Sequence, residues 1–231
     1  MTPCSSTPAT PSTTTRTAWI AVVATVVALV SGGCAAGGMD NAYQLDEEGS
    51  GSVGGKADSL DEFEAAYSLS SAVTAYAQTD PRWADELMFD GNDCSATIGE
   101  VGSALTVHAM LMSYFGSPND PVMHGRCLDQ LGQHSGCNVA WNGCLAGGAT
   151  YHGWGDGSFQ ELRAELDAGV PVIAEVRDSG RSDCHHFVLV TGYDAPGTSR
   201  GDFEIIDPAN GARRSLAAYG GVCSTRLFDG S

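Results

Sequence analysis

The clearest pattern in the chain is a stretch of apolar residues at helical spacing between Val101 and Phe115. Apolar side chains, with one histidine among them, recur at positions 101, 104, 105, 108, 111, 112 and 115, which lie on one helix face. Gly116 and Pro118 follow at once, and both residue types end helices. The sequence therefore predicts a helix with one buried face that ends near Gly116.

Two glycines, Gly99 and Gly102, precede this helix and place Ser103 in its first turn. Glycine leaves room for close approach of backbone to backbone. The first turn of a helix also presents amide groups without intrahelical partners and the positive end of the helix dipole. A nucleophile at position 103 would therefore have its anionic form stabilised.

The second half of the chain changes from helical to strand-like patterns. Ser158 and Glu161 form a capping-box pattern that predicts a helix start, and Gly169 predicts its end. Three β runs bounded by glycine and proline follow, at residues 171–176, 186–193 and 203–207. A helical first half and an antiparallel sheet in the second half together predict an α+β fold.

The segment before the predicted helix alternates only weakly between apolar and polar residues. Residues 71–77 are compatible with a short strand or with an extended lead-in to the domain. Pro81 breaks any continuation of this segment.

The N-terminal region contains a short apolar run at residues 18–30. This run is shorter than the ~20 residues of a transmembrane helix and fits the apolar part of a secretory signal. The small residues after it resemble a bacterial lipoprotein processing site, with Cys34 as the lipidated first residue, although Ser31 stands where such sites usually carry an aliphatic residue. We predict a signal peptide at 1–34 and export to the cell envelope or beyond; an uncleaved membrane anchor is the alternative.

Residues 35–66 predict a tether, because they are rich in glycine, serine and acidic residues and offer little to bury. Ser59 and Glu62 near its end have the spacing of a capping box and could start a short helix. Residues 67–231 remain as the folded domain. Contact with a membrane is expected only through the N-terminal lipid.

The charge of the chain excludes some partners. There are 28 Asp and Glu against 11 Lys and Arg, which gives a formal net charge of -17. Such a surface repels phosphate backbones and anionic headgroups, so nucleic acid is excluded as a partner. A solvated acidic surface explains the charge without any specific ligand.

The cysteines fit an oxidising compartment. Apart from Cys4 and Cys34, an even set remains in the predicted domain, which is typical of disulfides in exported proteins: Cys94, Cys127, Cys137, Cys144, Cys184 and Cys223. Spacing alone leaves their pairing open. A metal site at Cys184, His185 and His186 is the alternative, but its spacing does not match structural zinc sites, and we predict no metal and no cofactor.

Four segments, taken in order, carry a specific resemblance. Gln78 precedes Asp-Pro-Arg-Trp; Thr-Ile-Gly-Glu-Val-Gly-Ser-Ala-Leu-Thr opens the helix at 97–106; His186 opens Phe-Val-Leu-Val-Thr-Gly-Tyr-Asp; and Asp207 opens Asp-Pro-Ala-Asn-Gly. Together they resemble the bacteriocin-processing cysteine peptidases, family thirty-nine of the papain-like superfamily. The resemblance covers about residues 70–220 and implies a papain-like fold, with the nucleophile helix packed on the sheet.

The resemblance also implies a role for each matching residue. Gln78 would be the side-chain oxyanion donor, Ser103 would stand at the nucleophile position, His186 would be the general base and Asp207 would orient its imidazole. The implied ligand is a peptide or protein segment in an active-site groove. Each residue also has a simpler interpretation: Asp207 in a turn, His186 as a satisfied strand histidine, and Gln78 as an exposed polar residue.

Serine at position 103 departs from the family pattern, which has cysteine there. A thiol, with a pKa of ~8.5, can exist as a thiolate, whereas a hydroxyl needs a neutral histidine to take its proton during attack. The sequence therefore favours a peptide-binding pseudopeptidase. The alternative is an active hydrolase or acyl transferase that uses a Ser-His-Asp arrangement.

Several neighbouring residues leave further alternatives open. His185 competes with His186 for the role of base, and Cys94 is a conceivable displaced nucleophile, although a disulfide is the better prediction. His108 is predicted to be a core histidine bonded to backbone, while His124, His134 and His152 are assigned to loops. Four aromatic side chains could form either a ligand groove or a small core under a loop: Trp141, Tyr151, Trp154 and Phe159.

Overall fold

The computed structural model describes residues 65–90 and 93–230, which contain four helices and nine strands. The helices are α1 (Ile98–Val101), α2 (Ser103–Tyr114), α3 (Pro121–Gln130) and α4 (Phe159–Asp167). The strands are β1 (Tyr67–Ser68), β2 (His134–Ser135), β3 (Asn138–Val139), β4 (Ala149–Gly155), β5 (Val172–Arg177), β6 (His186–Tyr193), β7 (Phe203–Asp207), β8 (Ala212–Ser215) and β9 (Gly221–Gly230).

Seven strands form one antiparallel sheet in the order β4-β9-β5-β6-β7-β8, with β1 paired to the end of β6. The two short strands β2 and β3 form a separate antiparallel hairpin. The mixture of helices and antiparallel sheet confirms the predicted α+β class. Strands β6 and β7 have the predicted bounds, and β5 begins one residue later than predicted.

The N-terminal predictions lie outside the described residues. They comprise the signal peptide at 1–34 with Cys34, the helix start at Ser59 and the tether at 35–66 apart from its last two residues, Ala65 and Ala66, whose amides donate to Glu204 and Asp194. Within residues 65–90 and 93–230, no helix is long and apolar enough to cross a membrane.

The lead-in segment contains no strand over residues 71–77, so that alternative is wrong. A 3-10 turn occupies Ser70–Ala72, and the chain then becomes extended at Val73. The extended alternative therefore describes the segment. Further upstream, the buried carboxylate of Glu204 fixes the start of the domain by accepting hydrogen bonds from the amide of Ala65 (3.0 Å) and the hydroxyl of Ser68 (2.8 Å).

The start of α2 depends on two glycines, as the sequence predicts. A Cβ atom at Gly102 would lie 2.4 Å from the carbonyl oxygen of Ile98, and one at Gly99 would lie 2.8 Å from that of Ala84. Neither position can hold a side chain without moving the backbone. The short helix α1, capped by Thr97, therefore packs tightly before the chain turns into α2 at Ser103.

The sheet separates two apolar cores. Helix α2 packs on one face, where Leu105 and Leu111 join Leu189 of β6. Helix α4 packs on the other face, where Leu162 joins Val188. Because side chains alternate along a strand, β6 contributes successive residues to the two cores.

Three disulfides confirm the prediction from the even cysteine count. The pairs are Cys94–Cys137, Cys127–Cys144 and Cys184–Cys223. The first two hold the Gly-rich stretch that contains β2 and β3. The pairing also removes Cys94 as a displaced nucleophile and Cys184 as a metal ligand. Three disulfides are compatible with an exported protein.

Two histidines meet in the core under α2. His108 is fully buried, and its Nδ1 lies 3.1 Å from Nε2 of His124, so the predicted backbone partner is wrong. His124 belongs to α3, and the assignments of His134 and His152 to loops are also wrong, since they lie in β2 and β4. Burial holds the pKa of His108 well below its usual range, reinforced by the neighbouring His124, and lowers the pKa of His124 to about 4.

This pair predicts acid sensitivity of the fold. The folded protein keeps His124 neutral, whereas the unfolded chain takes up a proton as the pH falls below about 6.5, so stability is lost from pH 6.5 downward. Each such proton contributes a slope of up to about 1.4 kcal/mol per pH unit. Chemical denaturation between pH 4.5 and 7.5 should show that the free energy of unfolding depends less steeply on pH in His124→Gln than in the wild type.

His152→Gln is the matched control, because His152 is 43% exposed and lies 2.7 Å from the carboxylate of Asp229 at the surface. It should keep the wild-type slope. Equal slopes for His124→Gln and His152→Gln would show that the buried pair does not control the acid response.

Candidate functional site

Asp207, the last residue of β7, is fully buried and accepts four hydrogen bonds. One oxygen accepts from Nε2 of His186 (2.9 Å) and from the amide of Ala209 (2.9 Å). The other oxygen accepts from Arg214 (2.9 Å) and from the hydroxyl of Tyr219 (2.7 Å). Both oxygens of the carboxylate therefore have hydrogen-bond donors inside the protein.

These partners determine the charge of Asp207. Burial acts to raise its pKa, but the hydrogen bonds from His186, Tyr219 and the Ala209 amide outweigh burial and hold the pKa well below its usual range. Burial and the neighbouring Asp207 also raise the pKa of Tyr219, so its hydroxyl keeps its proton. Since an ionised carboxylate only accepts, Nε2 of His186 donates to it, and in the neutral ring Nδ1 is left as a free acceptor.

Of the two adjacent histidines, the structure pairs His186 with Asp207. His186 opens β6, and its ring lies 5.6 Å from that of Tyr219. Nε2 of His185 instead lies 3.2 Å from the carboxylate of Asp178. His185 also lines a cavity that His186 does not line.

That cavity has a volume of about 580 Å³ and contains the candidate nucleophile position. Ser103 is only 7% exposed and lies in the cavity wall at the start of α2. The wall also includes aromatic, charged and disulfide-bonded residues: Trp141, Trp154, Phe187, Glu175, Arg226, Cys137 and Cys184.

Gln78 joins two parts of this region. Its backbone amide donates to the carbonyl of Pro208 (2.7 Å), and its side-chain Nε2 donates to the carbonyl of Gly99 (3.1 Å). Its Oε1 is buried without a partner. Gln78 is thus buried rather than an exposed polar residue, and one N–H of its amide remains for another acceptor.

The structure therefore brings the sequence-predicted residues together only in part. His186 and Asp207 form a direct pair, and Gln78 bridges the Asp207 turn and α1. Among the side-chain hydrogen bonds of residues 65–90 and 93–230, none joins Ser103 to His186 or to Gln78.

A family model for the peptidase C39-like family matches residues 70–219, which is well over half of the chain. The chain belongs to the peptidase C39-like family. All four residues singled out by the resemblance lie inside the matched region: Gln78, Ser103, His186 and Asp207. Strand β9 with Arg226 lies beyond its end. Among curated proteins, no significant match is found.

The predicted aromatic cluster divides between cavity and core. Trp141 and Trp154 line the cavity. Tyr151 packs against Phe228 in the core under α2 (ring centroids 5.1 Å apart), and Phe159 stacks on Phe203 in the other core (5.6 Å). The core interpretation is thus confirmed for Tyr151 and Phe159, whereas Trp141 and Trp154 line a cavity.

Sequence reasoning missed the residues that surround the candidate site. Tyr219 and Arg214 hold Asp207, and Glu175 pairs with Arg226 at 3.1 Å. Arg214, Glu175 and Arg226 lie on different strands and Tyr219 lies between β8 and β9, and no spacing pattern connects them. Of the described residues, no three His, Cys, Asp or Glu side chains are arranged to hold a metal.

The cavity predicts the outcome of placing a thiol at position 103. Cys137 and Cys184, each in a different disulfide, lie in the same cavity wall as Ser103. A thiolate there would attack a disulfide sulfur, form a mixed disulfide and release Cys94 or Cys223 as a thiol, with no external oxidant needed. In Ser103→Cys, non-reducing peptide mapping should therefore find position 103 disulfide-linked in a substantial fraction of molecules.

Ser71→Cys is the control, since Ser71 is exposed in the 3-10 turn and does not line the cavity. It should keep the three native pairs and leave the thiol at position 71 free. The same native pattern in Ser103→Cys would contradict the prediction.

Proposed function

We propose that residues 67–231 form a papain-like domain of an exported protein, with Ser103 at the nucleophile position, that binds peptides without cleaving them. Family membership supports a peptide as ligand. The observation that carries the proposal is that Ser103 lines a large cavity, yet its hydroxyl makes no hydrogen bond to His186 among the described residues. In a serine hydrolase at work, the general base lies within about 2.6–3.2 Å of the nucleophile's hydroxyl.

The two faces of β6 support the same conclusion. Phe187 lines the cavity with Ser103 and packs against the core under α2. Its neighbour His186 contacts Tyr219, which belongs to the core on the other face. Adjacent strand residues point to opposite faces, so the imidazole is directed away from the cavity.

The presence of the His186–Asp207 pair is explained without a catalytic role. Asp207 is a buried charge, and loss of a hydrogen-bonding partner from a buried charge costs about 3–5 kcal/mol. Arg214 and Tyr219 depend on the same carboxylate. Asp207 and its partners are therefore needed for the stability of the fold. Gln78 likewise has a structural role, because it donates hydrogen bonds to backbone carbonyls.

The proposed setting is the cell envelope. A lipid on Cys34 would anchor the chain, and the acidic tether at 35–66 would hold the domain away from the membrane surface. The three disulfides are compatible with this oxidising location.

The second candidate function is a hydrolase that uses Ser103, His186 and Asp207. It is favoured by one observation: the ionised Asp207 fixes Nε2–H of His186 and leaves Nδ1 as a base. In that reaction Nδ1 would take the proton of Ser103 as Oγ attacks the carbonyl carbon. The free N–H of Gln78 would stabilise the oxyanion, and His186 would then protonate the leaving amine. Water would release the acyl group from Ser103 in a second step.

Labelling with a fluorophosphonate separates the two functions. The full-length protein, purified with its disulfides formed and shown to be folded by circular dichroism, should gain no mass at Ser103, because its hydroxyl makes no hydrogen bond to His186 among the described residues. Ser103→Ala is the matched control for labelling elsewhere. An adduct mapped to Ser103 and lost in His186→Gln would overturn the non-catalytic proposal and support the hydrolase.

Binding is tested separately with fluorescein-labelled octapeptides by fluorescence anisotropy. We expect saturable binding without cleavage products, and Ser103→Ala should bind within about twofold of the wild type, since its hydroxyl is not needed. If no peptide in the set is bound or cleaved, the proposal of a peptide-binding domain is wrong.

A further inference from the structure

The most exposed large apolar side chain among the described residues lies in the cavity beside Ser103. Trp154 of β4 is 68% exposed. Most large aromatic side chains bury much of their area, and an exposed indole costs solvation free energy. Its position in a cavity wall therefore points to a ligand that covers it.

Trp154 is held in place from behind. The guanidinium of Arg226 lies 3.5 Å from the centre of the Trp154 ring, and the two residues are directly opposite each other on β4 and β9. Arg226 is itself only 2% exposed and is fixed by Glu175 (3.1 Å) and Ser224 (2.8 Å). One face of the indole is thus occupied by a rigid cation, and binding a ligand on the rest of the ring costs little side-chain entropy.

Two further rings complete an aromatic surface around the same cation. The guanidinium of Arg226 lies 5.2 Å from the ring of Trp141 and 5.3 Å from that of Phe187, and these two rings are 5.2 Å apart. All three aromatic side chains line the cavity. Its volume of about 580 Å³ is in the range of sites that enclose a small organic group.

The charges of the cavity favour an uncharged occupant. Arg226 and Glu175 form an ion pair at 3.1 Å and neutralise each other. His185, the other titratable side chain in the wall, lies against Asp178. A ligand cation on the free face of Trp154 would be repelled by the guanidinium on the other face of the ring. A ligand anion would be repelled by the carboxylate of Glu175. A neutral aromatic ring avoids both repulsions and stacks on the indole.

We propose that this cavity is a subsite that selects an uncharged aromatic side chain, Phe, Tyr or Trp, of a peptide bound beside Ser103, with Trp154 as the specificity-determining residue. The inference rests on the proposed peptide-binding function and adds the class of side chain. It does not depend on whether Ser103 is a nucleophile.

The test compares otherwise identical labelled octapeptides that carry Phe, Leu, Lys, Glu or Gly at one central position. Binding to the full-length protein is measured by fluorescence anisotropy. The Phe peptide should bind at least tenfold more tightly than the Lys, Glu and Gly peptides. Trp154→Ala should reduce this preference to threefold or less, while Trp154→Phe should retain most of it.

Leu131→Ala is the matched control, because Leu131 is 62% exposed but lies outside the cavity, and it should leave all affinities unchanged. Binding of peptides with a preference that Trp154→Ala does not change would overturn the subsite and leave the peptide-binding function standing. Tighter binding of the Lys peptide would overturn the argument from charge. Binding of a chitin oligosaccharide that depends on Trp154, with no peptide bound, would assign the surface to a glycan and overturn both proposals.

Discussion

The buried carboxylate of Asp207 is the interaction on which the candidate site depends. A charge in the interior is tolerated only when donors surround it, and Asp207 has four: a strand histidine, a turn amide, an arginine and a tyrosine. These donors come from β6, from the turn after β7, from β8 and, for Tyr219, from the segment between β8 and β9. The carboxylate therefore fixes the imidazole of His186 and at the same time joins this end of the sheet. A pair that looks catalytic in the sequence is also a structural requirement.

The alternation of side chains along β6 separates this pair from the cavity. Leu189 and Val188 enter different cores, and the same rule assigns Phe187 to the cavity and His186 to Asp207. The fold can thus keep the acid–base pair while the cavity wall takes on other chemistry. The ion pair of Arg226 and Glu175, together with the indole of Trp154, occupies the wall beside Ser103.

Local signals explain what could be predicted from the sequence. The glycines before Ser103 and the helical period after it predict the start of α2, and the β runs predict β6 and β7. These predictions succeed because each pattern depends only on residues close together in the sequence. Strand β9 was not predicted, since its glycines and polar residues resemble a loop, and its buried Arg226 is explained only by partners on β4 and β5. The His108–His124 contact joins two helices, and the side-chain partners of Asp207 come from other segments of the chain; neither contact leaves a pattern in the sequence.

The disulfides give a physical reason why serine suits position 103. A thiolate at the start of a helix is stabilised and reactive, and here it would share a cavity wall with Cys137 and Cys184. A hydroxyl does not exchange with disulfides, so Ser103 leaves intact the disulfides that close the loops around the cavity. Those closures also restrict the motion of the wall, which lowers the entropy lost when a ligand binds. A cavity with fixed walls and a held indole therefore supports the proposed selective binding of a ligand.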